Sequence, residues 1–321
     1  MFLVLALIAI WFYLLEKQIF RSINFHQLRQ PQLYSDFSSV PVELQPLVAA
    51  GRVRASQSRL VICGLACNLA DALPAAQRTI SGVAALFRDY RIVVFENNSR
   101  DQTRQLLRAW SEHEPRLVLL LADDDHKQQS LYDFGTRSGS RLQRMAAYRN
   151  RYLDWIKQHA ADWELALVLD LDMKGGMALD GFLHSLAFDW DAVAANGRTS
   201  LPGSLGLATF MYDDMPLLPA NTEPSHNPGL FNVLSTKRLR TEYQLYHRRD
   251  LLPVRSAFNG AVVYKVSSLC KGSYGGAHCE HLGLHESMRA RGCASFYINP
   301  LWELYGQIQG PTVAQSLKRL L

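Results

Sequence analysis

Between residues 59 and 170, short apolar runs alternate with stretches of helical spacing. Leu60-Val61-Ile62-Cys63 has the pattern of a buried strand ending at Gly64. Residues 71–87 follow with Ala75, Ile80, Val83 and Leu86 on or near one helical face. Residues 91–95 predict a second strand, 103–112 a second helix and 116–121 a third strand. A long helix is expected over 141–159. A fourth strand over 165–169 runs directly into Asp170-Leu171-Asp172. Buried strands alternating with helices of this size predict an open α/β sheet, mostly parallel, with ligands beyond the carboxyl ends of its strands.

The flanks read differently. Residues 1–15, MFLVLALIAIWFYLL, carry no charged side chain, and Glu16-Lys17 ends the run. A full membrane span takes about 20 apolar residues, about 17 at the low end. The run is therefore expected to be a short anchor helix within residues 1–22, with a buried amino-terminal helix as the other reading. Lys17, Arg21 and Arg29 follow it, so the positive-inside rule puts the rest of the chain in the cytoplasm. Residues 23–58, with Pro31, Pro41 and Pro46, read as a stem. After Gly197 the pattern weakens, and five prolines between 198 and 235 predict long loops. A strand resumes over 261–264, and 281–291 reads as a helix.

Composition narrows the classes without choosing among them. At 321 residues, 48% hydrophobic and 20% charged, the chain can bury a sizeable core and is not generally disordered. Its 34 Lys+Arg against 29 Asp+Glu give +5, much weaker than the footprint of a dedicated nucleic-acid binder. The five cysteines include no C-x-x-C pair and imply no disulfide framework.

Three polar motifs sit at or beside the predicted strand ends. The second strand runs into ENNSRDQT, where Glu96 and Asn97 supply acceptors and Ser99 or Asp101 can cap the next helix. A well-capped turn explains this motif equally well. The fourth strand ends in LVLDLDMKGG, where Asp170 and Asp172, two apart on an extended chain, project to one side. Such a pair is costly without a cation, and Mg²⁺ or Mn²⁺ takes oxygen ligands and bridges diphosphates. Between them lies RLQRMAAYRNRYLDWI, whose Arg144, Arg149 and Asn150 open a helix; Arg forks suit phosphate oxygens or ion-pair the Asp residues.

In this order, ENNSRDQT, AAYRN and DLD resemble the nucleotide-sugar glycosyltransferases of the GT-A fold, of the family 2-like kind. The fungal capsule-associated α-mannosyltransferases look similar in the same segments. The resemblance covers roughly residues 59–200. It implies a Rossmann-like, mixed but mostly parallel sheet flanked by helices, with a donor and metal half over 59–200 and an acceptor half over 201–321. It also implies a hexosyltransferase, with a mannosyltransferase as the narrower reading, that uses Mn²⁺ or Mg²⁺ and a nucleotide-diphosphate sugar; the apolar run at 1–15 adds the expectation that it is membrane-associated. Gly64, Leu65, Glu96, Asn97 and Asp101 would hold the nucleoside, and Arg144, Arg149 and Asn150 would approach the donor. Asp170 and Asp172 would bind metal and diphosphate. Glu96-Asn97 replaces the commoner Asp-Asp or Asp-Asn, which leaves the base open.

The cluster HCEHLGLHE, residues 278–286, adds candidates. Glu280 suits a general base that deprotonates an acceptor hydroxyl. His281 and His285, one helical turn apart, can complete the metal shell, form a small zinc site with Cys279, or be plain surface histidines. Phe258-Asn259-Gly260 resembles an acceptor-side turn of the same enzymes. The basic run from Lys237 to Arg255 suits diphosphate, an anionic lipid-linked acceptor, a membrane surface or solvent alone. Partners expected are a nucleotide sugar, a glycan or lipid-linked acceptor and a membrane, and no nucleic acid. Two other functions stay open: a metal-dependent phosphatase using DLD, and a non-catalytic carbohydrate-binding scaffold. Against the phosphatase, Lys174 stands where that motif wants Thr or Val.

Overall fold

The structure is a computed structural model that describes residues 40–123, 139–200, 209–213, 215–221, 236–275 and 279–306. The expected anchor over 1–22 lies outside these residues. Among the described residues no helix is long and apolar enough to cross a membrane.

The strands in chain order are β1 (Arg59–Ala66), β2 (Asp89–Asn97), β3 (Leu117–Ala122), β4 (Leu165–Leu169), β5 (Gly176–Met177) and β6 (Ala192–Ser200). They continue as β7 (Thr209–Met211), β8 (Leu218–Pro219), β9 (Leu252–Ser256), β10 (Ala261–Lys265) and β11 (Phe296–Tyr305). The helices are α1 (Gln45–Gln57), α2 (Leu73–Ala84), α3 (Thr103–His113), α4 (Gly139–His159), α5 (Leu179–Leu186), α6 (Thr236–His247), α7 (Val266–Leu269) and α8 (Glu280–Arg289). One mixed sheet runs in the order β3-β2-β1-β4-β10-β6-β11-β9-β8, with β5 on β11 and β7 on β6.

The sheet is buried on both faces because helices cover both. In β1, Leu60 and Ile62 enter one core while Val61 and Cys63 enter the other. In β4, Leu165, Leu167 and Leu169 alternate in the same way with Ala166 and Val168. The first core takes side chains from α1, α2, α3 and α5, the second from α4, α6, α7 and α8. A strand apolar on both faces loses the alternating pattern and reads as a continuous greasy run. That is why these strands stood out in the sequence.

Two expectations change here. The sheet is parallel only through β3, β2, β1 and β4; β10 then enters antiparallel between β4 and β6, and most later pairings are antiparallel. A strand from beyond residue 260 thus lies inside the part assigned to 59–200, so the two expected halves interleave in one sheet. Residues 40–58 are also not a loose stem. Val40, Val48 and Ala55 join the first core, and Arg54 donates to the Leu186 and Phe188 carbonyls. Gly51 lies so close to α5 that a Cβ there would stand 1.8 Å from the Leu183 carbonyl oxygen.

The strand pattern failed where chemistry hides it. β6 is rich in Ala and carries Asn196 and Gly197, and β11 contains Pro300. The β11–β6 register shifts between Ile298 and Glu303, the kind of interruption that tolerates a proline in a strand. The Asn196 side chain donates to the Pro300 carbonyl there, 3.0 Å away.

Candidate functional site

Because β1, β2, β3 and β4 run parallel, their carboxyl ends share one edge of the sheet. The antiparallel β10 brings its beginning to the same edge, where the Asp170 N–H donates to the Gly260 carbonyl at 2.8 Å. Asn259 and Gly260 both have positive φ, 52° and 85°, so this turn uses residues that tolerate the left-handed region.

The edge is stiffened by two interlocked turns after β1 and β2. Asn68 N–H donates to Ser99 Oγ, Leu69 N–H to Thr103 Oγ1 and Ala70 N–H to Asp101. Arg100 N–H donates back to Asn68 Oδ1. Asp101 also accepts from Thr103 N–H, the first residue of α3, while Gln102 holds the N-cap position. Glu96 is fully buried; its two oxygens take Ser99 N–H and Arg104 Nε, and Arg104 continues to Asp123 at 2.6 Å. Asn97 donates to the Tyr148 hydroxyl. Glu96 and Asp101 therefore hold the turn itself. The sequence assigned both carboxylates directly to a nucleoside; their hydrogen bonds are spent on the two turns.

Gly64 and Leu65 also move. Both lie within β1, not in a loop after it, because β1 continues to Ala66 opposite Glu96. Gly64 is required by packing: a Cβ would come within 2.6 Å of the Leu171 side chain. Leu65 packs against the second core.

The carboxylates after β4 are where the sequence put them. Leu171 turns into the core, while Asp170 is half-buried and Asp172 exposed. Burial lifts the Asp170 carboxyl to about 7, against the pull of Arg149, and nearby Asp172 pushes it the same way as burial. Its Oδ1 receives Arg149 Nη2 at 3.3 Å and its Oδ2 the Tyr212 hydroxyl at 3.2 Å. Burial and the neighbouring Asp170 carry the Tyr212 phenol well above its usual range.

Arg149 is 4% exposed and has several partners at once. Its Nε donates to Glu280 Oε1 at 3.1 Å, Nη2 to Asp170 and Nη1 to the Tyr152 hydroxyl at 3.4 Å. The guanidinium carbon lies 5.0 Å from the Phe258 ring centroid. Tyr152 in turn donates to the Tyr274 hydroxyl at 2.8 Å. Asn150, expected at the donor, instead clasps the Tyr274 backbone, donating to its carbonyl and accepting from its N–H. Arg144, also expected there, is half-buried on α4.

The histidines are corrected as well. His285 is buried with both ring nitrogens engaged, Nδ1 with Ser256 Oγ at 2.8 Å and Nε2 with the Tyr264 hydroxyl at 2.9 Å. Burial lowers it to about 3. A neutral, fully bonded imidazole has no lone pair for an ion, so His285 leaves the expected metal shell. His281 is 1% exposed and stacks on Phe258 at 3.7 Å, with burial and then Arg149 holding it neutral. Cys279 is buried, its Sγ 3.8 Å from Glu280 Oε2. His278 lies outside the described residues. Among the described residues no three His, Cys, Asp or Glu side chains are grouped to hold a metal.

The sequence reading missed Tyr212 and the junction role of Arg149. Tyr212 follows the three-residue strand β7 in a proline-rich region with no periodic signal. Phe258-Asn259-Gly260, singled out for the turn alone, also supplies the aromatic shelf beneath Arg149.

No family model matches the chain, and no curated protein matches it in sequence. Solved structures of partly similar shape include GalNAc-T7 with UDP, GalNAc and Mn²⁺, at TM-score 0.46 and 9% identity over 80% of this chain. They also include the mannosyltransferase PcManGT from Pyrobaculum calidifontis with GDP-Man and Mn²⁺, at 0.41 and 13% over 82%. A third is glucosyl-3-phosphoglycerate synthase from Mycobacterium tuberculosis with Mn²⁺, UDP and phosphoglyceric acid, at 0.42 and 15% over 82%. The chain spans 45%, 65% and 73% of the lengths of these three. Overlap at this level is partial, and the chemistry is read from this chain's own residues.

Proposed function

We propose that the chain is a divalent-metal-dependent glycosyltransferase that moves a hexose from a nucleotide-diphosphate donor to a glycan or lipid-linked acceptor. The observation that carries this reading is the carboxylate pair Asp170 and Asp172 at the open edge of the sheet, joined through Arg149 to Glu280. The order of ENNSRDQT, AAYRN and DLD supports it, since all three motifs lie on elements that meet at or beside that edge.

The residues fit Mn²⁺ or Mg²⁺. Two carboxylates supply hard oxygen donors, one of them open to water, and such ions take their remaining ligands from water and substrate phosphates. A bound ion would neutralise charge building on the leaving diphosphate. Asp170 and Asp172 would hold the diphosphate end of the donor, and the backbone of the two interlocked turns would wall the nucleoside. Glu280 takes the proton of the acceptor hydroxyl as its oxygen bonds to the anomeric carbon. The bond from that carbon to the diphosphate breaks, and its electron pair leaves with the diphosphate. Direct displacement of this kind inverts the anomeric centre.

The resemblance to capsule-associated mannosyltransferases makes GDP-mannose the first donor to try. The apolar run at 1–15 supports attachment to a membrane, with the catalytic domain on the cytoplasmic side. The test is a donor screen. Purified protein with Mn²⁺ should hydrolyse or transfer from at least one of GDP-mannose, UDP-glucose, UDP-GlcNAc and UDP-GalNAc, and EDTA should stop it. Neither turnover nor donor binding across the panel would leave the scaffold reading ahead.

A further inference from the structure

We infer that Arg149 is a positioning residue: its buried guanidinium sets Glu280 in place against the carboxylate Asp170, without contacting donor or acceptor itself. The inference rests on the glycosyltransferase reading and reassigns a residue that the sequence alone placed at the donor.

The geometry leaves Arg149 little else to do. Each of its three nitrogens has a partner within the protein, and the guanidinium also sits over the Phe258 ring. Its side chain is 5% exposed, against 20% for Asp170 and 10% for Glu280. Three of its five N–H groups are taken within the protein, and burial of the side chain shields the other two from a diphosphate. Glu280, by contrast, opens helix α8, which packs on α4 and β9 and meets β10 through His285, and its link to Asp170 after β4 runs through Arg149. The planar fork is the one side chain whose rigid geometry can address two carboxylates and a phenol at once; an ammonium on a flexible stem cannot. Tyr152 and Asn150 brace the arrangement from α4 by way of Tyr274, since Asn150 fixes the backbone of the residue whose hydroxyl Tyr152 meets.

A buried positive charge shared between two carboxylates also resists removal of either partner, because each loss leaves a charge without its counterpart. The effect of changing Arg149 on turnover should therefore run through Glu280, while donor affinity should stay close to that of the parent.

The experiment uses the full chain, Mn²⁺ and whichever panel donor turns over, with water as acceptor in the slow hydrolysis reaction. Arg149→Lys, which keeps the charge and loses the fork, is expected to lower kcat about 100-fold and to change donor KM less than threefold. In a Glu280→Gln background the same change should lower kcat less than threefold further. Phe258→Leu, which removes the shelf and spares every polar partner, should show a weaker version of the same kcat-selective loss. It serves as the second variant if Arg149→Lys does not fold. Mn²⁺ affinity without donor, followed by the paramagnetic resonance of free Mn²⁺, should shift less than tenfold in Arg149→Lys.

A tenfold rise in donor KM with kcat unchanged would place Arg149 on the donor and overturn the proposal. Full, multiplicative losses in the Glu280→Gln background would overturn it too. In both cases the parent still turns donor over, so the glycosyltransferase reading survives. Absence of any Mn²⁺-dependent turnover by the parent would sink that reading and the positioning role together.

Discussion

Asp170 and Asp172 differ in burial, and that difference predicts different behaviour on substitution. Asp172 is exposed, so Asp172→Asn should leave the melting temperature within about 2 °C of the parent while abolishing Mn²⁺-dependent donor binding by calorimetry. Asp170 is held near 7 by burial, well above an unfolded carboxylate at about 3.9. A carboxyl raised in the folded state favours folding below pH 4, and that contribution is lost as pH climbs towards 7. Asp170→Asn stays neutral throughout. Without metal, it should therefore gain stability over the parent as pH rises from 4 to 8, on the order of 2 kcal/mol, read by urea denaturation at each pH. A constant difference across that range would contradict the burial of Asp170. Its partner Arg149 is 21 residues away in sequence and Tyr212 is 42, so neither contact leaves a local pattern to read.

Elements here approach more closely than side chains usually allow. A Cβ on Gly283 would fall 1.5 Å from the Gly275 carbonyl oxygen, so α8 rests directly on the chain before it. Gly283→Ala must push that helix away, and with it Glu280 at its first turn. The expected cost is about 2–3 kcal/mol, with turnover lost more steeply than stability. Thermal melting and the donor assay together check this, and an unchanged protein would show that α8 can shift freely. Helices were legible wherever one face is apolar and the other polar, as in α2, α3 and the long α4. α5 escaped because six of its eight residues are buried, which leaves no polar face to mark it.

At the scale of the molecule, helix α1 belongs to the folded unit that carries the site. α1 fills the first core beside α5, and Val40 N–H donates to Asp180. A chain starting at residue 59 should lose several kcal/mol against the parent and become sensitive to limited proteolysis. A melting temperature equal to that of the parent would return residues 40–58 to the status of a stem. The interleaving of β10 between β4 and β6 makes the same point for the other end. Residues after 260 complete the sheet that carries the carboxylates, so no cut near residue 200 would yield a working half.

The sequence by itself determined the parallel strands, the helices between them and the carboxylate pair after β4. These depend on periodicity and on neighbours one or two residues apart. Only the tertiary structure decided which polar residues face the cleft. Glu96, Asp101 and Asn150 satisfy backbone groups, His285 satisfies a serine and a tyrosine, and Arg149 joins residues as far apart as Asp170 and Glu280, 131 positions beyond it. A buried polar group must find a partner, and when the chain supplies one from a distant strand or helix, no local pattern announces it.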